Sequence, residues 1–257
     1  MAFTESFPEV NRCKLRLRRA GKGQPLLFLH GASGAPVILP FMEKLAERFD
    51  VLVTEHPGWG QSDEPEWIEN IHDVAYFYLD FLRQLNLKEV VLIGSSMGGW
   101  MAMEIAVRDT SRLSHLILVG PAGIAAPGVQ PADIFLMSDE DLARALFVDE
   151  RMIAARLAMP VTPESIDLGL KNKHATARLA WEPRLHDPHL PKWLHRIDVP
   201  VKIIWGEQDR ILPVGFLNEY KRLLPKAEID VFKNCGHIPQ TEMPDRFCES
   251  VIRFACK

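Results

Sequence analysis

The chain has no long apolar run and no excess of positive charge. No apolar stretch approaches the ~18 residues that a membrane-spanning helix needs. The 30 lysines and arginines are outnumbered by 34 aspartates and glutamates, which gives a formal net charge of −4. Domains that bind nucleic acids are usually basic. The sequence therefore predicts neither a membrane nor a nucleic acid as partner.

Cysteines are too few and too scattered for a disulfide scaffold. Only four are present among 257 residues, and no two form a Cys-x-x-Cys pair, so reduced and mostly buried thiols are the expectation. The first ten residues contain acidic Glu5 and Glu9 and lack the apolar segment of a secretory signal. The sequence thus predicts a cytoplasmic protein.

Short apolar runs alternate with amphipathic stretches along much of the chain. Continuous apolar runs are typical of strands buried on both faces of a parallel sheet, and they occur at Leu26–Leu29, Val51–Val53, Val90–Ile93, Leu116–Val119, Val201–Trp205 and Ile229–Phe232. Alternation over Arg12–Arg18 predicts one more strand, antiparallel at the sheet edge, with a solvated basic face. The pattern predicts an α/β fold with a mostly parallel central sheet flanked by helices.

This alternation stops in the middle of the chain. Residues 125–193 contain no strand-like run and are broken by seven prolines, and Ser138 followed by three acidic residues is a good helix start. The sequence predicts a helical insertion at 125–193 between two strands of a core formed by 1–124 and 194–257.

The strongest motif is Gly-x-Ser-x-Gly at Gly94–Gly98. It follows the apolar run Val90–Ile93 and precedes a helix-compatible stretch, Trp100–Val107. A strand that passes directly into a helix holds the middle residue in a tight turn, which exposes the Ser96 hydroxyl above the sheet. A dinucleotide-binding loop is the alternative, but the spacing is not Gly-x-Gly-x-x-Gly and no phosphate-binding lysine follows.

A serine nucleophile needs a base and an acid. Asp209 follows the run Val201–Trp205, with Glu207 as the rival acid, and His237 lies in a loop after the last predicted strand. Three such groups at the carboxyl ends of different strands predict a catalytic triad.

The loop after the first apolar run begins His30-Gly31-Ala32. A glycine-containing loop at this place can present backbone amides to a developing oxyanion. The amides of Ala32 and Met97 are the expected donors, and His30 is expected to close the loop through hydrogen bonds.

Together these segments resemble the α/β-hydrolase fold superfamily. The matching segments are His30-Gly31, Pro57–Asp63, Gly94–Gly99, Gly206–Asp209 and Cys235–His237 with Glu242 following. The resemblance implies Ser96 as nucleophile, His237 as base, Asp209 as acid, Ala32 and Met97 as oxyanion donors, and a helical cap at 125–193. Relatives with an aspartate nucleophile are excluded by Ser96.

The Ser-Met-Gly-Gly elbow and the Cys-Gly-His loop are similar to hydrolases that cut carbon–carbon bonds in ring-cleavage products. Two departures are visible: Ile238 stands where those enzymes usually carry an aromatic residue, and their longer Gly-rich loop is missing. Glu55-His56 replaces the more usual Asp-Leu, and we interpret it as local loop packing.

The expected function is hydrolysis of a small or medium carboxylic ester or lactone through an acyl-enzyme on Ser96. Cleavage of a ring-cleavage dienone stays open, with Arg178, Arg184 or Arg210 to anchor its carboxylate. A hydrolase-fold protein that binds without turnover is the remaining alternative.

We expect a small-molecule substrate, no cofactor, no metal, and a monomer or homodimer. The histidines His186, His189 and His195 lie near one another in the sequence, but Pro188 spoils their spacing and no carboxylate pair completes a site.

Overall fold

The computed structural model describes residues 2–256. Within that range the chain forms ten β-strands and nine α-helices. The strands are β1 (Thr4–Ser6), β2 (Glu9–Val10), β3 (Cys13–Lys14), β4 (Leu17–Ala20), β5 (Pro25–Leu29), β6 (Asp50–Thr54), β7 (Val90–Ser95), β8 (Leu113–Val119), β9 (Val201–Gly206) and β10 (Glu228–Phe232). The helices are α1 (Pro40–Leu45), α2 (Ile71–Gln84), α3 (Met97–Arg108), α4 (Asp139–Leu146), α5 (Glu150–Leu157), α6 (Pro163–Ala180), α7 (Leu217–Leu223), α8 (Pro239–Glu242) and α9 (Pro244–Ala255).

Eight strands form one sheet in the order β1-β4-β6-β5-β7-β8-β9-β10, and β2 pairs separately with β3. Within this sheet β4 is antiparallel to both β1 and β6, and the remaining pairs are parallel. The separate pair of β2 and β3 is antiparallel. Every residue of β6, β7 and β9 is buried, because helices cover both faces of the sheet. The predicted α/β class with a mostly parallel sheet is confirmed.

The prediction for Arg12–Arg18 is only partly right. The chain turns at Asn11 and Arg12, both with positive φ, and the extended stretch is divided into β3 and β4. The sheet edge is β1, and β4 lies one place inside it. Arg18 is buried, and its guanidinium donates to the carbonyls of Ala35 and Pro36, so the face is not wholly solvated.

Two apolar layers hold the helices against the sheet. Helix α2 contributes the predicted stripe to one layer, with Val74, Phe77 and Phe81 fully buried. Helices α1 and α9 pack in the other layer, where Phe41 meets Phe247 edge-on with ring centroids 5.5 Å apart.

Helices α4, α5 and α6 all lie between β8 and β9. Helix α4 begins as predicted: the Ser138 hydroxyl accepts a 3.1 Å hydrogen bond from the Asp141 amide. The four cysteines are free thiols, and three are buried. Among residues 2–256, no helix has the length and apolar character needed to cross a membrane.

Candidate active site

Ser96 occupies the junction between β7 and α3. Its backbone has φ 55° and ψ −118°, a region that residues other than glycine rarely adopt. The Ser96 amide donates to the carbonyl of Val119 at 2.9 Å, and the Ser96 carbonyl accepts from Ala122 at 3.0 Å. Neighbouring β8 and the residues after it therefore hold the strained turn in place.

Glycines allow the turn to pack this closely. A Cβ atom at Gly94 would lie 2.3 Å from the carbonyl oxygen of Gly98, and one at Gly98 would lie 2.2 Å from the carbonyl oxygen of Leu29. Any side chain at these positions would push α3 away from β5 and β7. The Gly-x-Ser-x-Gly spacing is thus a packing requirement of the strand–helix junction.

His237 and Asp209 form a buried hydrogen-bonded pair. The distance from His237 Nδ1 to Asp209 Oδ2 is 2.7 Å, and the side chains are 3% and 0% exposed. The other carboxylate oxygen accepts from the amides of Ile211 and Leu212 at 2.9 and 2.8 Å. Because a carboxylate can only accept, His237 carries its hydrogen on Nδ1, and Nε2 keeps a lone pair.

The structure brings Asp209, and not Glu207, to His237. Glu207 is exposed on the same turn. Gly120 lies between the Asp209–His237 pair and the serine. It directly follows Val119, whose carbonyl accepts the hydrogen bond from the Ser96 amide. A Cβ atom at Gly120 would lie 3.3 Å from Asp209 Oδ2 and 3.4 Å from His237 Nδ1. Ser96, Asp209 and His237 follow the carboxyl ends of the parallel strands β7, β9 and β10, respectively.

The loop after β5 contacts the serine side chain. A Cβ atom at Gly31 would lie 3.1 Å from Ser96 Cβ and 3.7 Å from Ser96 Oγ. Met97 is the first residue of α3, where helix amides lack an intrahelical acceptor. Within residues 2–256, the amides of Ala32 and Met97 donate to no protein acceptor, which leaves both available beside Ser96.

His30 and His56 are fully buried next to this loop, with ring centroids 3.7 Å apart. Burial lowers the pKa of His56 to about 4, and burial together with His56 lowers the pKa of His30 well below its usual value. Glu55 accepts from the Gln61 amide at 2.7 Å and from the Arg16 guanidinium at 3.2 Å. Both members of the Glu55-His56 pair thus have specific polar partners within the fold.

The three arginines considered as carboxylate anchors are held by protein groups. Arg178 donates to Glu64 Oε1 and to two nearby carbonyls. Arg184 pairs with Asp133 at 2.6 Å and stacks on two aromatic rings. Exposed Arg210 donates to a carbonyl of α4 at 2.9 Å.

The grouped histidines of the sequence have separate partners: His186 with a carbonyl, His189 with Lys192, and His195 beside Trp193. A different cluster, His72, Glu104 and Asp187, brings its ligand atoms within 4.8 Å of one another. The Arg108 guanidinium already donates to Glu104 Oε2 at 2.5 Å and to His72 Nδ1 at 2.7 Å. This positive charge disfavours a metal ion there.

Two residues that fix the loops of the site carry no role predicted from the sequence: Glu242 stands there only as part of a matching segment, and Asn172 is not singled out. Asn172 and Glu242 bond to the backbone of the Ala32 and His237 loops, respectively. Glu242 belongs to a recognisable segment with His237, which was an available signal. Asn172 lies within an ordinary helical pattern and gave none.

Known proteins match nearly the whole chain. Residues 26–250 match the model of the alpha/beta hydrolase family. The chain is 25% identical over 277 residues to a 2-hydroxy-6-oxo-6-(2'-aminophenyl)hexa-2,4-dienoic acid hydrolase of Metapseudomonas resinovorans, covering 98% of this chain and 91% of that protein. It is also 25% identical over 252 residues to a pimeloyl-[acyl-carrier protein] methyl ester esterase of Vibrio cholerae, covering 93% and 96%.

Solved structures agree on the fold. The 2-hydroxy-6-oxo-6-phenylhexa-2,4-dienoate hydrolase of Rhodococcus sp. strain RHA1 superposes with a TM-score of 0.80 at 22% identity, covering 100% of this chain and 99% of that one. The likeness extends over the insertion as well as the sheet.

Proposed function

The chain belongs to the alpha/beta hydrolase family and is a hydrolytic enzyme; on that premise, we propose that it cleaves a small or medium carboxylic ester or lactone through an acyl-enzyme on Ser96. The observation that carries the proposal is the buried 2.7 Å bond between His237 Nδ1 and Asp209 Oδ2. This bond leaves Nε2 as a proton acceptor in a site that also holds a serine in a strained turn.

The proposed reaction has two halves. Ser96 Oγ attacks the carbonyl carbon while His237 Nε2 takes its proton, and the amides of Ala32 and Met97 stabilise the oxyanion. His237 then returns the proton to the departing alkoxide. In the second half His237 removes a proton from water, which attacks the acyl-enzyme; the bond between the acyl carbon and Ser96 Oγ breaks, His237 returns the proton to Oγ, and the acid is released.

The contacts of the arginines favour an ester over a dienone. Carbon–carbon cleavage requires ketonisation of a dienol before a carbanion can leave, which calls for polar and aromatic groups around the acid end of the substrate. Arg178, Arg184 and Arg210 are each engaged by protein groups. Ile238 packs against apolar residues of α4 and α5 instead of offering an aromatic wall.

Dienone cleavage is the second candidate, because one relative of similar identity is a dienoic acid hydrolase. The binding protein without turnover is not retained, because the chain belongs to a family of hydrolytic enzymes. For the insertion we propose that residues 125–193 form a cap that excludes water and shapes an apolar pocket.

Turnover of p-nitrophenyl esters, lactones and ring-cleavage dienones by purified protein separates these candidates. We expect ester or lactone hydrolysis that Ser96→Ala abolishes and that Asp209→Asn lowers on the order of 10⁴-fold. Fast loss of the dienone chromophore with negligible ester turnover would favour carbon–carbon cleavage. Folded protein inert toward all three classes would contradict both candidate activities.

A further inference from the structure

His30 and His56 bond to each other in both directions. The backbone amide of His56 donates to His30 Nε2 at 3.0 Å, and His56 Nε2 lies 2.9 Å from the backbone carbonyl of His30. Each ring is thus tied to the main chain of the other residue. Both rings are at most 2% exposed, so water does not compete for these bonds.

Backbone partners fix where the protons lie. An amide can only donate, so His30 Nε2 is an acceptor, and the neutral ring carries its hydrogen on Nδ1. A carbonyl can only accept, so His56 carries its hydrogen on Nε2. His56 Nδ1 then accepts from the Tyr78 hydroxyl at 2.5 Å, and that hydroxyl accepts from Thr54 Oγ1 at 2.9 Å. Burial lowers the pKa of both histidines, which keeps the rings neutral.

The Nδ1–H of His30 points to the oxyanion loop. It donates to the carbonyl of Gly31 at 2.7 Å, and the Gly34 amide donates to the same oxygen at 3.1 Å. That carbonyl and the Ala32 N–H belong to one planar trans peptide, where they point in opposite directions. Fixing the Gly31 oxygen therefore fixes the direction of the Ala32 N–H.

We propose that His56 is a positioning residue of the oxyanion hole: its imidazole stacks on the His30 ring and bonds the His30 carbonyl, so that His30 Nδ1–H orients the Gly31–Ala32 peptide toward the reacting oxygen. This role rests on the proposed serine hydrolase function. The proposed role would explain why His56 stands after β6 in place of the more usual leucine. His56 touches no substrate and acts only through His30.

Paired substitutions separate this role from simple packing. An asparagine amide can take the place of imidazole Nδ1, and a glutamine amide can take the place of Nε2. At position 30, Asn retains the donor to Gly31 but loses the acceptor of the His56 amide, whereas Gln retains that acceptor and loses the donor. At position 56, Gln retains the donor to the His30 carbonyl and Asn loses it. Packing alone favours the larger Gln at both positions.

We expect His30→Asn and His56→Gln to keep kcat within a few-fold of the wild type. His30→Gln and His56→Asn should lower kcat about 10- to 100-fold with KM unchanged, a part of the 10²–10³ that a lost oxyanion donor costs. Equal Tm values within each pair exclude a difference in folding. Gln equal to or better than Asn at position 30, or Asn equal to or better than Gln at position 56, would overturn the role.

Two further readouts keep the outcomes apart. In ¹⁵N-histidine NMR spectra of the wild type at pH 7, we expect His30 protonated on Nδ1 and His56 on Nε2; the opposite tautomers would overturn the role without any variant. Wild-type ester turnover that Ser96→Ala abolishes supports the proposed function whatever the order of the pairs. A wild type inert toward the ester panel overturns the proposed function and this role with it.

Discussion

The side-chain amide of Asn172, on α6, donates a 3.0 Å hydrogen bond to the backbone carbonyl of Ser33. Its oxygen accepts from the Gly60 amide at 3.1 Å, and the residue is 6% exposed. One side chain of the insertion therefore holds two loops of the core together. One of these loops carries Ala32, the proposed oxyanion donor.

Asn172→Asp tests this connection. Aspartate keeps an acceptor for Gly60 but turns an oxygen toward the Ser33 carbonyl, so the free energy of unfolding should fall by about 1–3 kcal/mol. We expect kcat/KM to fall with it, because the Ala32 loop loses its support. Urea unfolding and ester kinetics measure both, with exposed Asn218→Asp as the charge-matched control. Equal kcat/KM in the two variants would show that Asn172 does not support the loop.

Glu242 makes the corresponding connection at the His237 loop. Its carboxylate accepts from the backbone amides of Gly236 at 2.5 Å, Val148 at 2.6 Å and Asp149 at 3.0 Å. Directly next to these bonds, the His237 amide donates to the carbonyl of Leu146, the last residue of α4, at 2.9 Å. The loop of His237, the proposed base, is thus held between the core and the insertion.

Glu242→Gln should be destabilising and should lower turnover. A glutamine presents an NH₂ group to at least one of the three amides, so the free energy of unfolding should fall by about 1–3 kcal/mol. Displacement of His237 should reduce kcat more than it changes KM. The exposed Glu249→Gln is the matched control. If Glu242→Gln has the same free energy of unfolding and the same kcat as that control, Glu242 does not position the His237 loop.

Acid should weaken the fold through the buried histidines. Burial lowers the pKa of His56 to about 4, below its usual value of about 6.5. Between these two values the unfolded chain therefore binds a proton at His56 that the folded chain does not bind. Stability is complete above pH 6.5 and is lost as the pH falls toward 4, by about 2 kcal/mol at pH 5 for His56 alone. Urea unfolding at pH 7 and pH 5 measures the loss. In His56→Leu the loss should be about 2 kcal/mol smaller; an equal loss in both proteins would assign it to other groups.

Removal of the insertion should cost both selectivity and rate. Replacing residues 127–191 by a short linker deletes Leu146 and Asn172, which bond to the His237 and Ser33 loops. We expect a folded sheet by circular dichroism and a lower kcat/KM for every substrate of the panel. An unchanged kcat/KM across the panel would mean that the segment is not a cap.

Much of the fold follows from local sequence patterns, because buried parallel strands are continuous apolar runs and their helices carry one apolar stripe. Strand β1 was not predicted, since all three of its residues are exposed and an edge strand needs no apolar pattern. In the site, too, features set by neighbouring residues could be predicted, whereas contacts between distant residues could not. The elbow at Ser96 is encoded by neighbouring glycines, whereas Asn172 reaches Ser33 across 139 residues, a contact that only the folded chain creates.

The most direct test of the central claim is covalent labelling of Ser96 by a fluorophosphonate, mapped by peptide mass spectrometry. Ser95→Ala is the matched control, because Ser95 is the adjacent hydroxyl, buried and hydrogen-bonded to Gln240 at 3.0 Å. We predict one phosphonate per chain on Ser96 in the wild type and in Ser95→Ala, and none in Ser96→Ala. Folded wild-type protein that stays unlabelled, or that is labelled at another residue, would contradict Ser96 as the nucleophile.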